Sequence, residues 1–126
     1  MGTKIKINED TIQKNSQGIY VASSKNYDGI YYSADGKFWI QSNVTNGSFY
    51  TIECNSQDIF VAANAWYGDG IYYSADGKDW KKSNITKGSF WTSVCNSQDI
   101  FVACSWDDDE EKFYSADGKD WVKKIK

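Results

Sequence analysis

Short runs of β-branched and aromatic residues recur along the chain, broken about every 8–12 residues by clusters of Gly, Asn, Asp and Ser. In the middle third these runs are SFYTIEC, DIFVAAN, GIYYSAD and KDWKKSN. Their composition and spacing predict four short β-strands. Helices are excluded, because they need apolar positions three and four residues apart over longer stretches. The run IFVAA is apolar at every position, as expected of a strand covered on both faces. WKKSN turns polar after its Trp and reads as an outer edge, where Lys side chains discourage pairing with another sheet.

The pattern repeats. NSQGIYVA occupies 15–22, and NSQDIFVA occupies 55–62 and again 96–103, giving offsets of 40 and 41. YSADGK begins at Tyr32, Tyr73 and Tyr114, an offset of 41 both times, and SNVTNGSFYTIEC at 42–54 returns as SNITKGSFWTSVC at 83–95. The chain therefore reads as one domain of three units, approximately 5–44, 45–85 and 86–126, whose length differences fall between the NSQ and YSADGK markers. A four-stranded unit of about 40–45 residues has the size of a propeller blade. The expected fold is all-β, with three four-stranded antiparallel sheets set as β-propeller blades.

The YSADGK segments carry a further likeness. Ser33, Asp35, Gly36 and Trp39 follow the pattern S-x-D-G-x-x-W, as do Ser74, Asp76, Gly77 and Trp80, and Ser115, Asp117, Gly118 and Trp121. This resembles the Asp-box (BNR) repeat of sialidase-type propellers, S-x-D-x-G-x-x-W, with Asp and Gly one residue closer together. Asp-Gly between strands predicts a tight primed turn, since Gly accepts φ > 0 freely and Asp tolerates it. The Ser and Asp oxygens are suited to accept N–H groups opened by the turn, and the Trp to wedge against the neighbouring blade. The resemblance also implies a structural role for these boxes, at the turn between third and fourth strands and away from any active site.

Propellers close with four or more blades, so closure of three is expected to come from association. Trp39 and Asn55 are 16 residues apart, as are Trp80 and Asn96; Lys126 lies five residues after Trp121, and Ile5 ten before Asn15. Joining Lys126 of one copy to Ile5 of another therefore keeps the register. The expected assembly is a head-to-tail homodimer forming a six-bladed ring, the blade number of the sialidases it resembles, with a nine-bladed trimer as the alternative. Closure is expected to remove exposed sheet edges at both ends of each chain.

Composition narrows the chemistry. Net charge is −3, and Asp107, Asp108, Asp109, Glu110 and Glu111 supply −5, so the acidity is one loop. All 14 basic residues are Lys, and a near-neutral body without Arg predicts no nucleic-acid partner. No run approaches the ~20 apolar residues of a membrane span, and MGTKIKINED lacks a signal-peptide core. The expected chain is soluble and cytoplasmic, with no membrane partner. Cys54, Cys95 and Cys104 form no C-x-x-C pair and have no His to help hold zinc, so they read as buried, reduced residues; no metal or cofactor is expected. The acidic run lacks the Gly that curls an EF-hand loop and reads as solvated. Three glycosylation sequons, at Asn43, Asn46 and Asn84, carry meaning only for a chain secreted through a eukaryotic pathway.

The likeness to sialidases stops at their catalytic residues. Those enzymes grip a substrate carboxylate with three Arg, and this chain has no Arg, no His, and only Glu9, Glu53, Glu110 and Glu111 as glutamates. The expected protein is not an enzyme, a glycosidase being the remaining catalytic alternative.

Variation between the copies collects in SSKNYDG (23–29), NAWYGDG (64–70) and SWDDDEEK (105–112), the loops from second to third strand. These are expected to share one rim with the interblade segments VTNGS (44–48) and ITKGS (85–89), while the invariant turns lie opposite. The candidate ligand-binding residues on that rim are Tyr27, Asp28, Trp66, Tyr67, Asp69, Trp106 and Asp107. Aromatic faces beside carboxylates and amides suit sugars, which need apolar surfaces for stacking and partners for hydroxyls. The expected function is a self-assembling, lectin-like carbohydrate-binding propeller. The alternative is a structural or engineered propeller fragment with no ligand of its own.

Overall fold

Three antiparallel sheets, each of four strands in chain order, make up the regular structure. The first holds β1 (Gln13–Lys14), β2 (Tyr20–Ser23), β3 (Ile30–Ser33) and β4 (Ile40–Gln41). The second holds β5 (Phe49–Cys54), β6 (Phe60–Asn64), β7 (Ile71–Ser74) and β8 (Lys81–Lys82), and the third β9 (Phe90–Cys95), β10 (Ile100–Ser105), β11 (Lys112–Ser115) and β12 (Val122–Lys123). This computed structural model describes residues 5–64, 69–95, 98–106 and 111–123, with the side chains of 93–95 excepted. Every connection inside a sheet is a simple antiparallel return, so each sheet is a local meander.

Neighbouring sheets meet face to face. β6 is buried along its whole length, as its unbroken apolar sequence predicts, because one sheet covers each of its faces. The first strands lie innermost, with β5 packed against both β1 and β9, and the Thr51 and Thr92 hydroxyls meeting at 3.0 Å. The fourth strands lie outermost, two residues long and exposed; Lys81 and Lys82 make up β8. Short, charged edges of this kind resist pairing with other sheets.

The apolar core is divided between the two junctions. One cluster joins Val21, Ile30 and Val44 of the first blade to Phe49, Ile52, Phe60 and Trp80 of the second. The other joins Val61, Ala63 and Ile71 of the second blade to Phe90, Phe101 and Trp121 of the third. Aromatic pairs fill both: Phe60 with Trp80 and Phe101 with Trp121, each at 6.3 Å between ring centres.

Three local readings change. The third-to-fourth-strand connection is a six-residue loop, 34–39 in the first blade, and not a two-residue primed hairpin. Gly36, Gly77 and Gly118 take positive φ of 79°, 82° and 77°, while the preceding Asp stays out of that region and folds the loop around its own carboxylate. The first inner strand is cut short by a 3-10 turn at Glu9–Thr11, with Asn8 at its head accepting the Asp10 N–H at 3.2 Å. Before that turn the chain pairs again, Asn8 N–H donating to Ser23 O at 2.8 Å. Finally, the uncovered surfaces at the ends of the arc are sheet faces and not sheet edges, because blades stack by their faces.

Gly29 and Gly70 fix the rim loops against the interblade segments. Both have positive φ, and a Cβ on either would lie 2.0 Å from a backbone oxygen, that of Val44 or Ile85. Gly29→Ala is therefore expected to cost about 3 kcal/mol or more in urea unfolding. Gly18→Ala, where φ is +85° but nothing lies within 4 Å, should cost only about 1 kcal/mol.

Candidate functional site

The rim forms as the sequence predicts. Gly29 N–H donates to Gly47 O at 3.2 Å and Gly47 N–H to Tyr27 O at 3.0 Å, which ties the second-to-third-strand loop to the segment leading into the next blade. The second blade repeats the contact between Gly70 and Gly88 at 2.9 Å. In the third, Trp106 N–H reaches Ser89 O at 3.0 Å.

Tyr27 stands at the loop tip, 55% exposed, in the left-handed region at φ 63°. A bulky residue rarely holds that conformation, and here it turns the ring outward. A groove of about 180 Å³ opens beside it between the first and second blades, lined by Asn8, Ser24, Lys25, Tyr27, Ser48, Phe49 and Tyr50. Tyr50, 44% exposed, meets Trp106 edge to face at 6.4 Å, and Trp106 is itself 54% exposed. Tyr50 therefore links two of the candidate residues, Tyr27 and Trp106, across three blades.

Asp28 and Asp69 are half buried and bridge to Gly47 and Gly88. Asp28 also faces Tyr31, whose hydroxyl pKa is raised by burial first and then by the charge and hydrogen bond of Asp28. Trp66, Tyr67 and Asp107 lie outside the described residues.

Sequence reasoning missed Tyr50 and its counterpart Trp91, which is 40% exposed. Both follow a buried Phe on an inner strand. The register of β5 shifts between Phe49 and Thr51, whereas Trp91 stands opposite Cys104 in the regular ladder of β9.

On the opposite face the side chains of the S-x-D-G segments bond to their own turns. Ser33, Ser74 and Ser115 are buried, and each hydroxyl accepts the box Gly N–H at 2.8 Å. Asp35, Asp76 and Asp117 each accept two further amides of the loop at 2.8–3.0 Å. All three carboxyls are held below their ordinary pKa. The Phe38 amide leads for Asp35 and the Asp120 amide for Asp117; at Asp76 burial pushes upward and the Asp79 and Lys78 amides outweigh it. A cleft of about 240 Å³ at the second box is larger than the rim groove, but its Ser74 and Asp76 oxygens are already occupied by the turn.

Solved structures share this architecture. YCF48 bound to D1 peptide superposes with a TM-score of 0.59 at 14% identity over 90% of this chain, and YCF48 from Cyanidioschyzon merolae with 0.55 at 13% over 94%. The fold is a β-propeller. The chain spans about two fifths of the length of those structures, 38% and 40%. No family model and no curated protein matches the sequence. No helix among the described residues is long and apolar enough to cross a membrane, and no group of three metal-ligating side chains is found among them.

Two polar clamps lock each propeller junction. Asp58 of the second blade accepts the Ser16 N–H at 2.8 Å and its hydroxyl at 2.5 Å; Asp99 of the third does the same to Ser56, at 2.9 and 2.6 Å. Asn43 brackets the Trp80 backbone, accepting its N–H at 2.8 Å and donating to its O at 2.9 Å, and Asn84 does so to Trp121. Trp80 and Trp121 are 3% and 4% exposed, and each indole N–H donates to its box Gly O. Trp39, in the first of the three blades, is half buried.

Cys54 and Cys104 are free thiols, and Cys54 is half buried rather than fully so. Its pKa is pushed up to about 11 by burial first and then by the charges of Asp58, Asp99 and Glu53, which leaves it unreactive at neutral pH.

Asp58 and Asp99 have pKa values lowered chiefly by the side-chain hydrogen bonds of Ser16 and Ser56. A carboxylate with a depressed folded-state pKa stabilises the protein above the unfolded value of about 3.9, and the gain is lost as pH falls through the folded one. The thermal midpoint should therefore drop below about pH 4. In Asp58→Asn with Asp99→Asn, circular dichroism melts should show a lower midpoint at neutral pH and a flatter acid limb.

Proposed function

We propose that the chain is a non-enzymatic binding propeller whose arc is completed by a second copy, head to tail, giving a six-bladed ring with a ligand-binding rim. The observation that supports this reading is that residues at the two end faces match the two sides of an interior junction, with Lys112 as the exception where Ile30 and Ile71 are buried. Val21 and Val61 are fully buried where Gly77 and Gly118 of the following blade sit against them. Val102, at the same position of the third blade, is half buried. At the other end the first blade presents Gly36 and the half-buried Trp39, the counterparts of what covers Val21 and Val61. Burying a Val side chain from water is worth roughly 1.5–3 kcal/mol, so these halves gain by meeting.

The rim supports a carbohydrate ligand. Tyr27, Tyr50 and Trp106 offer stacking surfaces, and Asn8, Ser24, Ser48 and Lys25 supply hydrogen-bonding groups around the groove. A peptide is the second reading, because one similar propeller has been solved with a peptide bound. The non-enzymatic reading rests on the sequence, which lacks Arg and His, and on Glu111 being paired with Lys123 at 3.4 Å.

Sedimentation equilibrium should give twice the single-chain mass of 14.3 kDa, and Val102→Asp should return the chain to that mass. A wild-type particle of 14.3 kDa at every concentration would sink the ring. On a glycan array, Tyr50→Ala with Trp106→Ala should abolish binding; retention of a peptide library alone would favour the second reading.

A further inference from the structure

Among the described residues the end faces differ from the interior junctions at several positions: Lys112 is exposed where Ile30 and Ile71 are buried, Tyr20 stands where Phe60 and Phe101 do, and the carboxylate of Asp58 and Asp99 is missing from the first blade. Asp58 and Asp99 sit at φ 66° and 57°, each gripping the NSQ serine of the preceding blade through two hydrogen bonds. The first blade has Gly18 there, in the same left-handed region at φ 85°, with open space where a side chain would stand. The loop geometry is retained and only the carboxylate is gone. The asparagine clamp is broken in sequence too: the position corresponding to Asn43 and Asn84 is Ile125, which lies outside the described residues.

Taking the ring reading above as its basis, we infer that the closing junction is an unlatched one: a second copy docks through the apolar seam of Val102, Ile100, Trp39 and Gly36 without the carboxylate clamp that fixes the interior junctions. The apolar term supplies attraction but little angular constraint, whereas two charge-assisted bonds from one carboxylate constrain both. The ring therefore opens at this junction on dilution while the three-blade arc stays intact. The partner is a copy of this chain, because Gly36 and Trp39 at one end are the counterparts of the groups that cover Val21 and Val61, and Val102 at the other end is the counterpart of those valines.

Gly18→Asp restores the clamp, and Gly18→Asn, which tolerates the same φ without a charge, is its control. In sedimentation-velocity dilution series Gly18→Asp should tighten association roughly tenfold per junction, hence roughly a hundredfold for a ring with two, with Gly18→Asn close to wild type. Tightening of Gly18→Asp alone, even if the wild type stays single, supports the inference; in that case it is the ring of the unaltered chain that falls. A wild type that associates with an affinity Gly18→Asp does not improve overturns the inference and leaves the ring standing. Association by none of the three overturns both. The converse swap, Asp58→Gly, should make an interior junction resemble the end one and speed amide exchange at Ser16; unchanged exchange also counts against the inference.

Discussion

A four-stranded blade of this chain cannot satisfy its own apolar faces. Both cores lie between sheets and neither lies within one, so the packing of each blade is supplied by its neighbour. Everything else follows from that dependence. Inner strands must converge, which brings Thr51 and Thr92 into contact, and outer strands must splay, which leaves β4, β8 and β12 short and wet. Aromatic residues fill the widening gap, and their rings are placed by the box loops, whose glycines let strand and loop approach closely.

Apolar packing alone would allow blades to slide, and the polar contacts remove that freedom. The NSQ turn is held internally by its Asn, which accepts the Gln17 and Ile19 amides in the first blade, and is then gripped from outside by the next blade's Asp. The box loop is held internally by its Ser and Asp and then bracketed from outside by the preceding blade's Asn. Both invariant motifs thus serve as joints. Their concentration on one face leaves the rim free to vary, since SSKNYDG and NAWYGDG need only return a glycine to the interblade segment.

Much of this was legible in the sequence. The repeat period, the four strands, the buried second strand, the charged outer edge and the division into an invariant and a variable face can all be read from residue pattern. The clamps were not, because Ser16 and Asp58 are 42 residues apart and their pairing depends on how neighbouring units face each other. Tyr50 was hidden because it lies on an inner strand, and only the packing of neighbouring blades brings it beside the rim loops and Trp106. The primed turn was misjudged at Asp35, whose carboxylate captures the Lys37 and Phe38 amides and stabilises a longer loop instead. At the rim, Tyr27 and Trp106 are exposed, and Asp28 is half buried near Tyr31.

The spacing of the clamps has a consequence for how the chain folds. Ser16 to Asp58, Ser56 to Asp99, Asn43 to Trp80 and Asn84 to Trp121 span 42, 43, 37 and 37 residues, and no clamp reaches beyond the adjacent unit. The chain is thus a nearest-neighbour array, in which the described clamps join adjacent units and stability is a sum of blade and junction terms. Adding or deleting a whole unit changes the number of terms without changing any one of them.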